Sequence, residues 1–200
     1  MPAVAPSPGS SPLRAAWTSA SIAASLAVTL TGALTLHAMG RRLWCACGSW
    51  SPWSWDIWSQ HNSQHLIDPY TFTHALHGAV YYLLLWLAFR GRWPSLRAFL
   101  ALTAEVVWEV VENTNTVITA YRESTIALNY SGDSILNSVS DVGAFALGYT
   151  GAIVLPVWVS LAGFLATEAA LLLTIHDSLL LNVLMLLHPV TAIKAWQMGR

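Results

Sequence analysis

Charge is what this sequence has least of. Asp, Glu, Lys and Arg make up 10% of its 200 residues, against about 25% in soluble domains. So few charges cannot cover a water-facing surface of this size, which excludes an ordinary soluble globule. The net charge is −1, and no basic patch exists to neutralise phosphates, so nucleic acid is excluded as a partner. Cysteine is limited to Cys45 and Cys47. Two residues make no disulfide framework, and they lack zinc-site partners at the usual spacing. They read as two thiols near a membrane surface, with a metal or redox role for the C-x-C as the alternative. No H-E-x-x-H motif, nucleophile elbow or internal repeat is found.

What is present is apolar and aromatic. Hydrophobic residues make up 55% of the chain, and there are 11 tryptophans. Trp44, Trp50, Trp53, Trp55 and Trp58 fall in one short stretch. Tryptophan favours the membrane–water interface, so this stretch predicts a loop lying on the bilayer. A small aromatic-packed subdomain is the alternative.

The pattern predicts an all-α, polytopic transmembrane helical bundle of about five spans. Residues 1–13 read as a disordered tail, and 14–200 as a single transmembrane domain. The spans fall at about 17–39, 73–89, 96–119, 133–155 and 157–175, with a Trp-rich interfacial loop at 40–72. The first carries no Asp, Glu, Lys or Arg from Trp17 to Met39 and is long enough to cross a bilayer of about 30 Å. A cleavable signal peptide is its rival reading. Residues 178–187 are apolar but too short to cross, and predict a re-entrant or interfacial segment. Ala144, Gly148 and Ala152 form a small-residue stripe that lets a neighbouring helix approach closely. Arg90, Arg92 and Arg97 between the second and third spans favour the cytoplasm. That places the N-terminus inside, although Arg41, Arg42 and Arg122 then lie outside. The expected location is a bacterial inner membrane, with the lipid bilayer as partner.

The scarce charges are grouped. His74 and His77 open the second span on one helical face. Glu105, Glu109 and Glu112 share a face near the end of the third. Asp133, Asn137 and Asp141 open the fourth. These three helix ends lie on the same side, with Glu105 and Asp141 about one turn deeper. The loops add His61, His65, Asp68 and Arg122. His61 and His65 read as solvated loop residues, Arg122 as a contact for a carboxylate or anionic headgroup, and Asp133 also as a helix cap. His37, His176, Asp177 and His188 read as helix-end or interfacial residues.

A mid-helix charge facing lipid costs about 2.5–3.5 kcal/mol on the insertion scale, so the acidic groups are expected to face inward. Three readings fit them. The first is a polar network that holds the bundle together. The second is a catalytic site in His74, His77, Glu109, Glu112, Asp133, Asn137 and Asp141. It would work by acid–base chemistry or with a divalent metal on His74, His77, Glu109 and Asp133. The third is a proton or ion pathway, which five spans without an inverted repeat favour less. The functional expectation is chemistry on a lipid-linked or amphiphilic envelope substrate. The alternative is a non-enzymatic protein whose cluster binds an ion or proton or organises the bundle.

Three segments carry a resemblance. They are Ser63–Gly78 (SQHLIDPYTFTHALHG), Trp108–Asn113 (WEVVEN) and Ser131–Asp141 (SGDSILNSVSD). Together they resemble an uncharacterised family of bacterial multi-pass cell-membrane proteins, and the likeness covers most of the chain after the tail. It implies a membrane location and transfers no catalytic residue. The layout of an early His, a later acidic residue and an Asp133…Asn137…Gly143 pattern is also similar to that of VanZ-like proteins. The spacing differs, and the Asp-Lys pair before the His is missing. That likeness is one of fold and implies no function.

Overall fold

The computed structural model describes residues 11–125 and 130–199, and the described residues are helices joined by loops. In chain order the helices are α1 (Pro12–Ala16), α2 (Ser19–Ala38), α3 (Pro69–Ala88), α4 (Pro94–Glu112), α5 (Asn115–Ser124), α6 (Ile135–Val154), α7 (Val157–Ile175), α8 (Leu179–Leu187) and α9 (Thr191–Met198). Most of the expected tail, residues 1–10, lies outside the described residues. Its last positions, 12 and 13, already belong to α1.

The helix starts follow from local chemistry. Thr18, Asp68, Thr114, Ser134 and Ser178 each accept a backbone N–H of the following turn, which satisfies donors that a helix leaves unpaired. Asp68 does most: its side chain takes the amides of Tyr70 and Thr71, the Thr71 side chain returns a bond to the Asp68 backbone, and Pro69 presets the first turn. Thus α3 begins four residues earlier than the apolar pattern suggested.

The third expected span, 96–119, is not one helix. It divides into α4 and α5 at Asn113 and Thr114. The Asn113 side chain turns away to donate to Asp133 Oδ2 at 2.7 Å, and Thr114 opens α5 as a new N-cap. The apolar period alone does not register such a break.

Beside an apolar core, many polar side chains are buried and many large apolar ones are exposed. Buried positions include Glu105, Glu109, Asn137 and Asp141, while Leu26, Leu30, Leu147, Val157, Leu165 and Leu173 are more than half exposed. Two helices, α2 and α7, are long and apolar enough to cross a membrane by length and composition. α3, α4 and α6, with 19 or 20 residues each, reach a similar length of about 28–30 Å.

The bundle is organised on the pair α3 and α6, which has the most extensive packing. Gly148, from the small-residue stripe, lies directly against α3: a Cβ there would fall 1.8 Å from the Ala75 carbonyl oxygen. A Cβ on Gly78 would meet the Phe145 carbonyl oxygen at 2.1 Å. Around this crossing, Phe145 and Tyr149 pack with Ala98, Ala101 and Val106 of α4. Arg97, read from the sequence as part of a charged loop, is 5% exposed. Its guanidinium sits 5.7 Å from the Tyr82 ring, a cation–π distance.

After α7 the chain turns back sharply. His176 takes a left-handed conformation (φ 54°), and Glu168 accepts the amides of Leu179 (2.9 Å) and Leu180 (3.2 Å). A buried carboxylate on α7 therefore caps the start of α8, beyond the Ser178 cap. At nine residues, α8 spans only about 14 Å. A further helix that the sequence did not suggest, α9, docks on the same turn, where Gln197 donates to the His176 carbonyl at 2.9 Å.

Candidate functional site

The site is built where the start of α3, the end of α4 and the start of α6 meet. The His74 Nδ1 is 2.6 Å from Glu105 Oε1 and 3.2 Å from Glu109 Oε1. The His77 Nδ1 is 3.3 Å from Glu105 Oε2, and its ring lies edge-on to His74 with centroids 5.1 Å apart. Asp141 joins from α6: one ligand atom each of His74, Glu109 and Asp141 lie within 4.8 Å of one another. Helical spacing explains the convergence. Residues three or four apart share a face, so α3 presents both imidazoles and α4 presents both carboxylates to the same interior seam.

Of the residues singled out from the sequence, His74, His77, Glu109 and Asp141 come together, with Glu105 as the contact nearest His74. Asp133 stands apart from the ion-sized groups. It accepts from Asn113 and from the Tyr130 hydroxyl at 3.0 Å, while its own amide donates to Asn113 Oδ1 at 2.7 Å. Asn137 donates to the His65 carbonyl at 2.8 Å, and Arg122 donates to the Tyr130 carbonyl. Both hold loops in place. Glu112 pairs with the Tyr121 hydroxyl.

A cavity of about 210 Å³ opens beside the cluster. It is lined by His74, His77, Glu112, Asp133 and Asp141, and by Leu179, Val183, Leu186 and Leu187 of α8. Glu105 and Glu109 stand behind His74, away from the lining. Several buried acceptors lack a hydrogen bond: Glu109 Oε2 and Asp141 Oδ1 have none, and Glu109 Oε1 has only the ion-pair contact with His74 Nδ1. Unmatched carboxylate oxygens in such a setting suit a cation or a proton.

Two further carboxylates support the site, Asp68 from the loop residues and Asp177 from the helix-end residues singled out in the sequence. Asp68 is fully buried and accepts Ser63 N–H at 3.0 Å as well as its capping bonds. Burial pushes its carboxyl above the usual range, against the lowering effect of the Thr71 and Tyr70 amides. Asp177 accepts from the Tyr70 hydroxyl at 3.1 Å and from Asn182 at 3.3 Å, so it ties α3 to α8 at one end of the cavity. Burial raises it to about 6, partly offset by the Ser178 amide. The D-P pair of Asp68 and Pro69 is the sequence signal for the first as a cap; the second lies at a helix end, as the sequence suggested, and its partners Tyr70 and Asn182 come from other helices.

A family described as a protein of unknown function, DUF2585, matches residues 36–199. The chain belongs to this family. Its relatives include a UPF0314 protein of Paracoccus denitrificans, 44% identical over 174 residues that cover 87% of this chain and 90% of the relative. A UPF0314 protein of Sinorhizobium fredii is 46% identical over 176 residues, or 88% and 89% of the two chains. One of Rhizobium meliloti is 45% identical over the same extent. The uncharacterised bacterial family inferred from the three motifs is thus the family found, and the matched region contains every residue of the cluster. No solved structure matches.

Proposed function

We propose that this DUF2585 member is a five-span inner-membrane protein that binds the polar head of an amphiphile beside His74 and performs acid–base chemistry on it. The spans are α2, α3, α4, α6 and α7, with α8 and α9 interfacial. The observation that carries the reading is the mixed lining of the cavity: imidazoles and carboxylates from α3, α4 and α6 together with four aliphatic side chains of α8. A polar headgroup and an acyl or prenyl chain match that lining, and the exposed leucines around the bundle match lipid. Glu105 holds His74 Nδ1, which leaves Nε2 as the nitrogen for a substrate proton. A carboxylate that fixes the tautomer and stabilises the imidazolium is a recurrent way of making a general base. Hydrolysis or group transfer at the headgroup is the reaction class.

A second reading rests on the unmatched oxygens of Glu109 and Asp141. With His74 they offer three donors for a divalent cation, which would polarise a phosphoryl or carbonyl oxygen or serve a non-enzymatic role.

The test is incubation of purified protein with total bacterial polar lipids, read by mass spectrometry. Headgroup loss in wild type that is absent in His74→Ala supports the catalytic reading. Stoichiometric lipid retention without turnover favours the binding-only role. No lipid retained by either protein defeats both.

A further inference from the structure

A second group of ligand-type side chains lies outside the bundle, in the loop between α2 and α3. Cys45, Cys47, His61 and His65 each offer one donor atom, and the four atoms lie within 4.8 Å of one another. Their spacing in the sequence hid this. The C-x-C is separated from an H-x3-H by a tryptophan-rich stretch, and the two histidines looked like solvated loop residues. His65 is 3% exposed and Cys45 8%.

We propose that these four residues form a tetrahedral site for zinc. Cys45 Sγ lies 3.3 Å from His61 Nδ1, and Cys47 Sγ lies 3.7 Å from His65 Nε2. Two ligands at tetrahedral angles, with Zn–S of about 2.3 Å and Zn–N of about 2.0–2.1 Å, stand about 3.6 Å apart. The two observed separations bracket that value. Two thiolates and two imidazoles form a donor set that zinc takes in structural sites, with no position left for substrate.

The surroundings of the ligands agree. The other nitrogen of His65, Nδ1, meets the Ser51 carbonyl, which fixes that nitrogen as the N–H and leaves Nε2 as the ligand. The amide of Cys47 donates to Cys45 Sγ, and that of Ser49 to Cys47 Sγ, both at 3.4 Å. Such N–H donors stabilise sulfur as thiolate. Trp44 packs edge-on against the His65 ring, centroids 5.3 Å apart, and shields it.

The position gives the ion a task. The carbonyls of Arg42 and Leu43 accept the amides of Ile135 and Leu136 at the start of α6 (2.8 and 3.3 Å), and the Ser63 carbonyl accepts Ser134 N–H at 2.9 Å. One loop segment leads into Cys45 and Cys47, and the other carries His61 and His65. An ion bridging them would clamp both segments where they cap α6, two turns from Asp141. The zinc is structural and separate from the His74 cluster.

The test uses full-length protein purified without a metal-affinity tag. Elemental analysis should find one zinc per chain in wild type and in His74→Ala, and less than a tenth of that in the Cys45→Ser, Cys47→Ser double variant. Cobalt(II) added to chelator-stripped wild type covers the case in which the double variant fails to fold. It should give thiolate-to-cobalt charge-transfer absorption and the intense visible bands of tetrahedral cobalt. Metal-free wild type without those bands, zinc retained in the double variant, or a Cys45–Cys47 disulfide in the purified protein would each overturn the proposal.

Discussion

The His74 Nδ1 and Glu105 Oε1 lie 2.6 Å apart, both almost fully buried, on helices whose chain positions differ by 31 residues. Truncating either partner removes the shorter of two contacts: Glu105 keeps His77, and His74 keeps Glu109. Losing one partner of a buried hydrogen bond costs about 1–3 kcal/mol, and more where the group left is charged. Glu105→Ala and His74→Ala are each expected to fall in this range. The double variant should cost less than their sum by at least about 1 kcal/mol, the coupling of groups in contact. Unfolding in mixed micelles checks this, and strict additivity would show that the pair does not act as a unit.

At the α3–α6 crossing, Gly148→Ala drives a methyl into the Ala75 backbone. Overpacking commonly costs about 1–3 kcal/mol, and contact with rigid backbone puts this variant at or beyond the upper end. Gly143→Ala, on the same helix with nothing within 4 Å, should be neutral or slightly stabilising. Paired melting curves decide the matter: equal midpoints for the two variants would remove the close-approach argument.

Glu168→Gln exchanges a carboxylate that caps two amides for a neutral amide. Loss of a helix cap costs about 0.5–2 kcal/mol, and the effect should be local. Hydrogen exchange is expected to rise across Leu179–Leu187 and to stay unchanged in α2. Uniform exchange across the chain would mean that α8 is held by something else.

Asp177 gives the fold a pH dependence. Its folded value is about 6, against an ordinary 3.8, so the folded state binds the proton more tightly than the unfolded state. Its contribution is therefore fully present below about pH 4 and is lost as pH rises through about 6. The difference amounts to roughly 3 kcal/mol at most. Wild type should lose stability across that window, and Asp177→Asn should flatten the slope. A slope unchanged in the variant would assign the dependence to another group.

The five-span reading fixes the sides of the two ends. A reporter fused after Arg200 and one inserted between Arg90 and Trp93 should report opposite faces of the membrane. Agreement between the two reporters would end the five-span count.

Helical spacing made much of the cluster legible in advance. His74/His77 and Glu105/Glu109 repeat at three and four residues, and alternating spans bring the ends of three helices to one side. The choice of partner was less accessible. Asp133 had the right residue type and position, yet Asn113 and Tyr130 take it up, because the chain breaks after Glu112 and swings Asn113 toward it. That break depends on side-chain caps, not on the apolar period. Glu168 and Asp177 were obscured for a related reason: their partners are amides and hydroxyls brought near by the turn at His176, which no pattern of apolar residues encodes. The Cys45–His65 group needs a loop to fold back on itself, and its ligand pairs are 16 and 18 residues apart.

The contacts of Gly78 with Phe145 and of Gly148 with Ala75 bring main chain against main chain. His74 adjoins Ala75, so the spacing of the cluster is set by backbone and not by side chains that could repack. A ligand that needs a wider site would have to move α3 and α6 as whole helices.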